Sequence, residues 1–251
     1  MTQFLIQTRL SIRRELFRNL GFLFFSLAMP AGFYLLFTKI FIQGSGTVAK
    51  QMALQYMTSM IVYSVLISMI FSFANVLVED QSENVPTLLA ITPAKKSAYY
   101  GGLIVAMTLM NVLSVVVIEC LAVTVNHASL SWKASGLVLC WTLLGAIPLM
   151  LLGGVVSRAG RFSTVSALCN FIVFPMAITS GLWWPLSILP DWMQHIGKLM
   201  PTYAVNRLLQ TAINSTTVKG SWLLILLFWV AISGIILWGL GHLRRDERFQ
   251  A

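Results

Sequence analysis

Apolar residues fill this chain in long blocks, and the polar stretches between the blocks are short. Six blocks come near the ~20 apolar residues that a helix needs to cross a bilayer. They lie at about 22–42, 54–78, 101–125, 134–156, 163–184 and 221–240. Pro30, Pro148 and Pro175 fall inside blocks, where neighbouring helices can satisfy the carbonyls that proline frees. The pattern predicts an all-α polytopic membrane protein, one transmembrane domain over 1–251 with six transmembrane helices.

Ahead of the first block, 3–19 reads as an amphipathic interfacial helix within a cytoplasmic segment 1–21. Leu5, Ile6, Leu10, Ile12, Leu16 and Phe17 gather on one side of a helical wheel, and Gln3, Gln7, Ser11, Arg14, Glu15 and Arg18 on the other. Arg9 and Arg13 fall in the apolar arc and would have to snorkel. A plain basic flank that only orients the first span is the alternative. The apolar run after these arginines is too long for the core of a cleavable signal, and no small-residue site closes it, so an uncleaved start is expected.

Between the fifth and sixth blocks the pattern breaks. Thr179 to Gln210 carries Pro185, Pro190 and Pro201, each of which fixes φ and removes a donor, so no single helix passes through. Trp183, Trp184 and Trp192 are expected at the headgroup level, where indole keeps one end wet. Short re-entrant or interfacial helices are predicted over 185–220, before span six at 221–240 and a tail at 241–251.

Composition agrees: 57% of the residues are hydrophobic and only 10% charged, with mean hydropathy +0.81. Soluble chains carry roughly 25% charged residues, so lipid is the solvent. The formal charge of +9 does not indicate nucleic acid, because the cations fall singly or in pairs in the gaps between blocks. Counted by side, eleven of the seventeen Lys and Arg lie with the N-terminus and six opposite. Both termini are therefore expected in the cytoplasm, with the segment 185–220 facing outward.

The longest inward loop runs over 79–100. Glu79, Asp80 and Glu83 precede Pro86 and the apolar Leu88-Leu89-Ala90-Ile91; Pro93 and Lys95-Lys96 follow. Acids before a helix and cations after it suit the helix dipole, so a short surface helix is predicted. A simple solvated turn is the alternative.

No nucleotide-binding G-x-x-x-x-G-K-[ST] loop occurs, so ATP-driven work would need a second polypeptide. Cys120, Cys140 and Cys169 lie in apolar blocks and read as buried thiols. His127, His195 and His242 share no ligand spacing, and no catalytic constellation is visible. Glu119 is the one acid inside a span. It either contacts substrate or protons, or reaches the wet outer edge through its closeness to Asn126 and His127. Spans two and five carry polar and aromatic side chains: Tyr56, Tyr63, Ser64, Phe71 and Asn75 on one, Asn170, Phe171, Phe174 and Thr179 on the other. Such residues either glue helices together or line a path.

Ser180, Gly181, Pro185, Leu189, Pro190, Trp192, Pro201 and Arg207 together form a run S-G-x-x-x-P-x-x-x-L-P-x-W followed by a proline and a short helix. This resembles the signature of the ABC-2 family, the membrane subunits of ATP-driven exporters, and with the six-span topology the likeness covers nearly the whole chain. The resemblance implies that Glu79, Asp80, Glu83, Thr87, Leu88, Leu89 and Pro93 form a coupling loop docked on an ATPase, although Pro86-Thr87 stands where the family often has Gly-Thr. It implies a substrate cavity lined by spans two and five at the interface with a second permease subunit, in a homodimer or heterodimer. Gly181, Pro185, Leu189, Pro190, Trp192 and Pro201 would shape the outer gate. ATP and Mg²⁺ would be held by two copies of the ATPase, not by this chain. The implied activity is efflux of an amphiphilic cargo, a drug or antimicrobial peptide, across the plasma membrane. A polysaccharide, teichoic-acid precursor or lipid is the alternative cargo, and an ion-coupled secondary transporter the alternative class.

Overall fold

The computed structural model describes residues 2–18, 20–42, 46–92 and 95–249, with side chains at 3–15, 21, 23, 24, 26–42, 46–92 and 95–242. Every regular element among them is helical. Helix α1 (Thr2–Ile12) runs on as a π-helical stretch, Arg13–Arg18. After Leu20–Leu23 and a second π stretch, Phe24–Ala28, comes α2 (Met29–Phe41). Helix α3 (Thr47–Ser82) contains a third π stretch at Ile67–Ser72. The rest are α4 (Val85–Ile91), α5 (Lys96–Asn126), α6 (Trp132–Val156), α7 (Phe162–Thr179), α8 (Asp191–Lys198), α9 (Pro201–Asn214) and α10 (Gly220–Phe249).

Five of these, α3, α5, α6, α7 and α10, are long and apolar enough to cross a membrane. The first expected span corresponds to a shorter apolar helix, Ser26–Phe41. Pro30 lies within the continuous helical run Leu20–Phe41, directly after the π stretch, whose wider turn stands where proline removes a donor. The fifth span ends at Thr179 and not near 184. Gly181, at φ 73°, supplies the left-handed residue that turns the chain, and Leu182 N–H returns to the Ala177 carbonyl.

Helix α3 is the hub. Of its most apolar window 83% is buried, against 11% for α10. A membrane helix surrounded by protein gains little from apolar burial and is held by packing and hydrogen bonds instead. Its small polar residues do this. Ser114 Oγ donates to Ser64 Oγ at 2.7 Å, Ser64 Oγ donates to the Ser26 carbonyl, and Ser68 Oγ donates to Asn111 Oδ1 at 2.6 Å. Ser26 and Ser72 hydroxyls meet at 3.3 Å where two π stretches lie together. These bonds stitch α3 to α5 and to the helix before α2.

Helix α9 is more than an interfacial helix. Pro201, Thr202, Val205, Leu208 and Leu209 are buried, and it packs against α3, α6 and α10. The segment between spans five and six therefore dips back into the bundle. Cys169 is buried as expected, but Cys120 and Cys140 lie on exposed faces. In lipid, an apolar block need not face the protein interior.

Backbones approach closely where α6 crosses α3. A Cβ on Gly153 would collide with the Met69 carbonyl oxygen, whereas one on Gly136 of the same helix would meet nothing within 4 Å. Gly153→Ala should cost roughly 1–3 kcal/mol and lower the thermal unfolding midpoint. Gly136→Ala should leave the midpoint unchanged or raise it. Detergent-solubilised protein followed by circular dichroism reads both.

Candidate functional site

Two ends of α3 carry the candidate machinery. At one end Asp80 is buried, 2% exposed, in the last turn of the helix. A carboxylate at a helix C-terminus opposes the macrodipole, and Arg14 offsets this. Arg14 Nη1 donates to Asp80 Oδ1 at 2.9 Å and to Tyr99 Oη at 3.0 Å, while Tyr99 Oη donates to Asp80 Oδ2 at 2.8 Å. Arg14 also meets Glu15 Oε1 at 2.5 Å. Burial pushes the Glu15 carboxyl above its ordinary value of 4.5, outweighing the pull of Arg14, and its second oxygen has no partner. One cluster thus ties α1, α3 and α5 together.

The acids therefore do not open the surface helix, as the sequence pattern suggests. Glu79 and Asp80 end α3, Glu83 caps it, and the first turn of α4 holds no acid. Lys95 and Lys96 begin α5. Only Glu79 and Glu83 are exposed. Helix α1 turns part of its expected polar side to the protein and not to solvent. Ser11 and Glu15 are buried, Leu5, Ile6 and Leu10 are exposed, and a Cβ on Gly102 of α5 would lie 2.9 Å from the Thr8 nitrogen. Leu16, Phe17 and Arg18 lie outside the described side chains.

The surface helix is present as α4. Asn84 adopts a left-handed conformation, φ 57°, and its carbonyl accepts the N–H groups of Thr87 and Leu88. Leu88 is 53% and Ile91 77% exposed. Thr87 is exposed and Leu89 half-buried. Pro93 lies outside the described residues.

At the opposite end, Tyr56, Gly181 and Pro185 meet around a cleft of about 220 Å³ between α3, the turn after α7, and α9. Below it Trp183 packs edge-on against Tyr63, Phe33 and Phe174, at centroid separations of 5.4, 5.8 and 5.9 Å. Its indole N–H is buried without a partner, so Trp183 is a packing residue and not a wet belt residue. Trp184 and Trp192 remain exposed. Leu189 is half-buried and Pro190 precedes α8. Pro201 is buried in the first turn of α9.

The remaining expected path residues separate. Ser64 and Tyr63 are sealed inside the bundle. Asn75 Oδ1 accepts from Ser166 Oγ at 2.7 Å, joining α3 to α7, and Phe71 is half-buried beside it. Asn170, Phe171 and Phe174 face outward from α7, Phe171 at 82% exposure, and Thr179 returns its hydroxyl to the Pro175 carbonyl. Glu119 is half-buried, and its Oε1 is buried without a hydrogen-bond partner. Arg14, Glu15 and Tyr99 were not singled out as a site from the sequence. The available signal was an acid at a helix C-terminus needing a cation.

The profile of the ABC-2 type transporter family matches residues 2–214. The chain belongs to the ABC-2 type transporter family. It is also similar to the protein named "Putative transport permease YvfS" of Bacillus subtilis (strain 168), 31% identical over 195 residues, which cover 76% of this chain and 77% of that one. This ABC-2 chain is a multi-pass membrane transport permease. The match spans everything from α1 through α9, so the buried cluster, α4 and the outer cleft all fall within the family domain.

The Glu15 carboxyl, facing Arg14, Asp80 and Glu79, predicts a pH effect. A raised native value means that ionised Glu15 disfavours the fold, a penalty absent below its ordinary value of 4.5 and growing as pH climbs above it. Glu15→Gln should raise the thermal midpoint at neutral pH, and the gain should vanish near pH 4. A gain independent of pH would contradict this assignment.

Proposed function

We propose that this chain is the membrane subunit of an ATP-binding cassette exporter, driven by an ATPase on a separate polypeptide. The observation that carries the reading is the continuity of α3. Its 36 residues extend ~54 Å at 1.5 Å per residue, longer than a bilayer is thick. One end bears the exposed α4 and the buried Arg14–Asp80 cluster, and the other walls the outer cleft. A push on α4 therefore reaches the outer end through one element, with α1 and α5 moving alongside because Arg14 and Tyr99 bind the same carboxylate.

Ser26–Phe41, extended by the turns before it, serves as a sixth span, so both termini face the cytoplasm of a plasma-membrane protein. Two such subunits, alike or different, pair with two ATPases that hold ATP and Mg²⁺. The ATPases dock on α4 with Glu79 and Glu83 at its edge, while Asp80 acts inside as a positioning residue. Exposed Asn170, Phe171 and Phe174 on α7 offer the face toward a central path, whereas Tyr63 and Ser64 brace it from within. The cargo is an amphiphile, since the outward side chains are aromatic and amide rather than charged. Gly181, Pro185, Leu189, Pro190, Trp192 and Pro201 build the outer gate, and transport follows from ligands favouring one of two states.

Affinity purification from native membranes should recover an ATPase chain with this one. Leu88→Asp together with Ile91→Asp should reduce that recovery roughly 10-fold or more while leaving the thermal midpoint unchanged, because both side chains are exposed. Undiminished recovery would remove α4 from the interface.

A further inference from the structure

The outer cleft holds a cation and an amide that the fold leaves incompletely used. Arg207 of α9 lies over the rings of Tyr203 and Trp222, at 5.7 and 5.9 Å, and donates to Gln210 Oε1 at 3.1 Å. Among the described residues no carboxylate pairs with it, so most of its N–H donors are available to a ligand. In the floor of the same cleft Asn206 is 4% exposed, with Nδ2 3.2 Å from Ser59 Oγ and Oδ1 without a partner. A serine hydroxyl can donate or accept, so whichever way the amide is turned one end stays unpaired. A buried amide in this state is costly, but its free oxygen is sealed beneath the cleft, so the groups that face a ligand are Arg207 and the wall beside it. Tyr56, Trp184 and Leu186 supply that wall.

We infer that this cleft is a binding site for the phosphate-bearing headgroup of an amphiphile. The guanidinium fork matches phosphate oxygens, and the aromatic and aliphatic wall takes the first carbons of the apolar body. The nearby indoles Trp184 and Trp222 mark the depth at which headgroups sit. Two sources share this chemistry, a phospholipid of the surrounding leaflet and a phosphorylated amphiphile in transit. The inference deepens the exporter reading by giving the outer cleft a ligand class, but it is tested on the chain alone.

The experiment is native mass spectrometry of the full chain, delipidated in an uncharged detergent and titrated with octyl phosphate, dihexanoyl phosphatidylglycerol or inorganic phosphate. One molecule of octyl phosphate or of phosphatidylglycerol should bind per chain, with inorganic phosphate far weaker. Binding of the phosphatidylglycerol identifies the leaflet source, and binding of octyl phosphate alone identifies a monoester in transit. Arg207→Gln should weaken binding by roughly 10-fold or more, Arg207→Lys should retain part of it, and Lys133→Gln, at an exposed cation that does not line the cleft, should leave it unchanged. Arg207 is exposed, so an unaltered thermal midpoint certifies each variant. Equal affinity in Arg207→Gln, equal loss in Lys133→Gln, or inorganic phosphate binding as tightly as octyl phosphate would each overturn the assignment. None of these results bears on whether an ATPase co-purifies.

Discussion

A helix with protein on every side, in a solvent that cannot hydrogen-bond, must find every polar partner among its neighbours. Helix α3 lives under that constraint, and the bundle is arranged to satisfy it. Its serines reach carbonyls, hydroxyls and an amide on the adjoining helices, and the same bonds fix how those helices lie against it. The peripheral α10, by contrast, turns Leu224, Leu227, Phe228 and Ile235 outward and is matched to lipid. The molecule is thus organised from a polar-stitched centre to an apolar rim, the reverse of a soluble domain.

The ion pair at the inner end extends the same logic to charge, with Asp80 buried and Arg14 half-exposed. Removing Arg14 strands a buried carboxylate, at a cost that water screens below the ~3–5 kcal/mol of a fully buried pair, and the shared carboxylate makes α1, α3 and α5 respond together to anything that moves Asp80. The hydrophobic face of α1 remains free for the membrane surface because the polar face is occupied by this cluster and by the close backbone approach at Gly102. A surface helix carried on such a junction is well placed to feel a partner without the bundle end coming apart.

Block length made the long helices legible in the sequence, and the prolines with Gly181 made the outer break legible. Periodicity could not say which solvent an apolar face meets. Cys120 and Cys140 were therefore read as buried when they face out, and Trp183 as a belt residue when it is packed among Phe33, Tyr63 and Phe174. The acids of 79–83 were placed before a helix instead of at the end of one, because a helix that continues past its apolar block leaves no pattern at the point of exit. In the candidate site, Tyr56, Gly181 and Pro185 do converge. The partners of Asp80 stayed invisible because Arg14 and Tyr99 lie 66 and 19 residues away along the chain.

The π stretch in α3 has a geometric result of its own. Ser68 and Asn75 are seven residues apart, a spacing that in an uninterrupted helix returns to within about 20° of the same direction. Yet Ser68 serves α5 while Asn75 serves α7. The wider turns between them reset the angular phase of everything that follows, so one continuous rod presents differently aimed halves to different neighbours. Were the same residues wound as an uninterrupted α-helix, Asp80 would swing by about 100° away from the guanidinium that neutralises it.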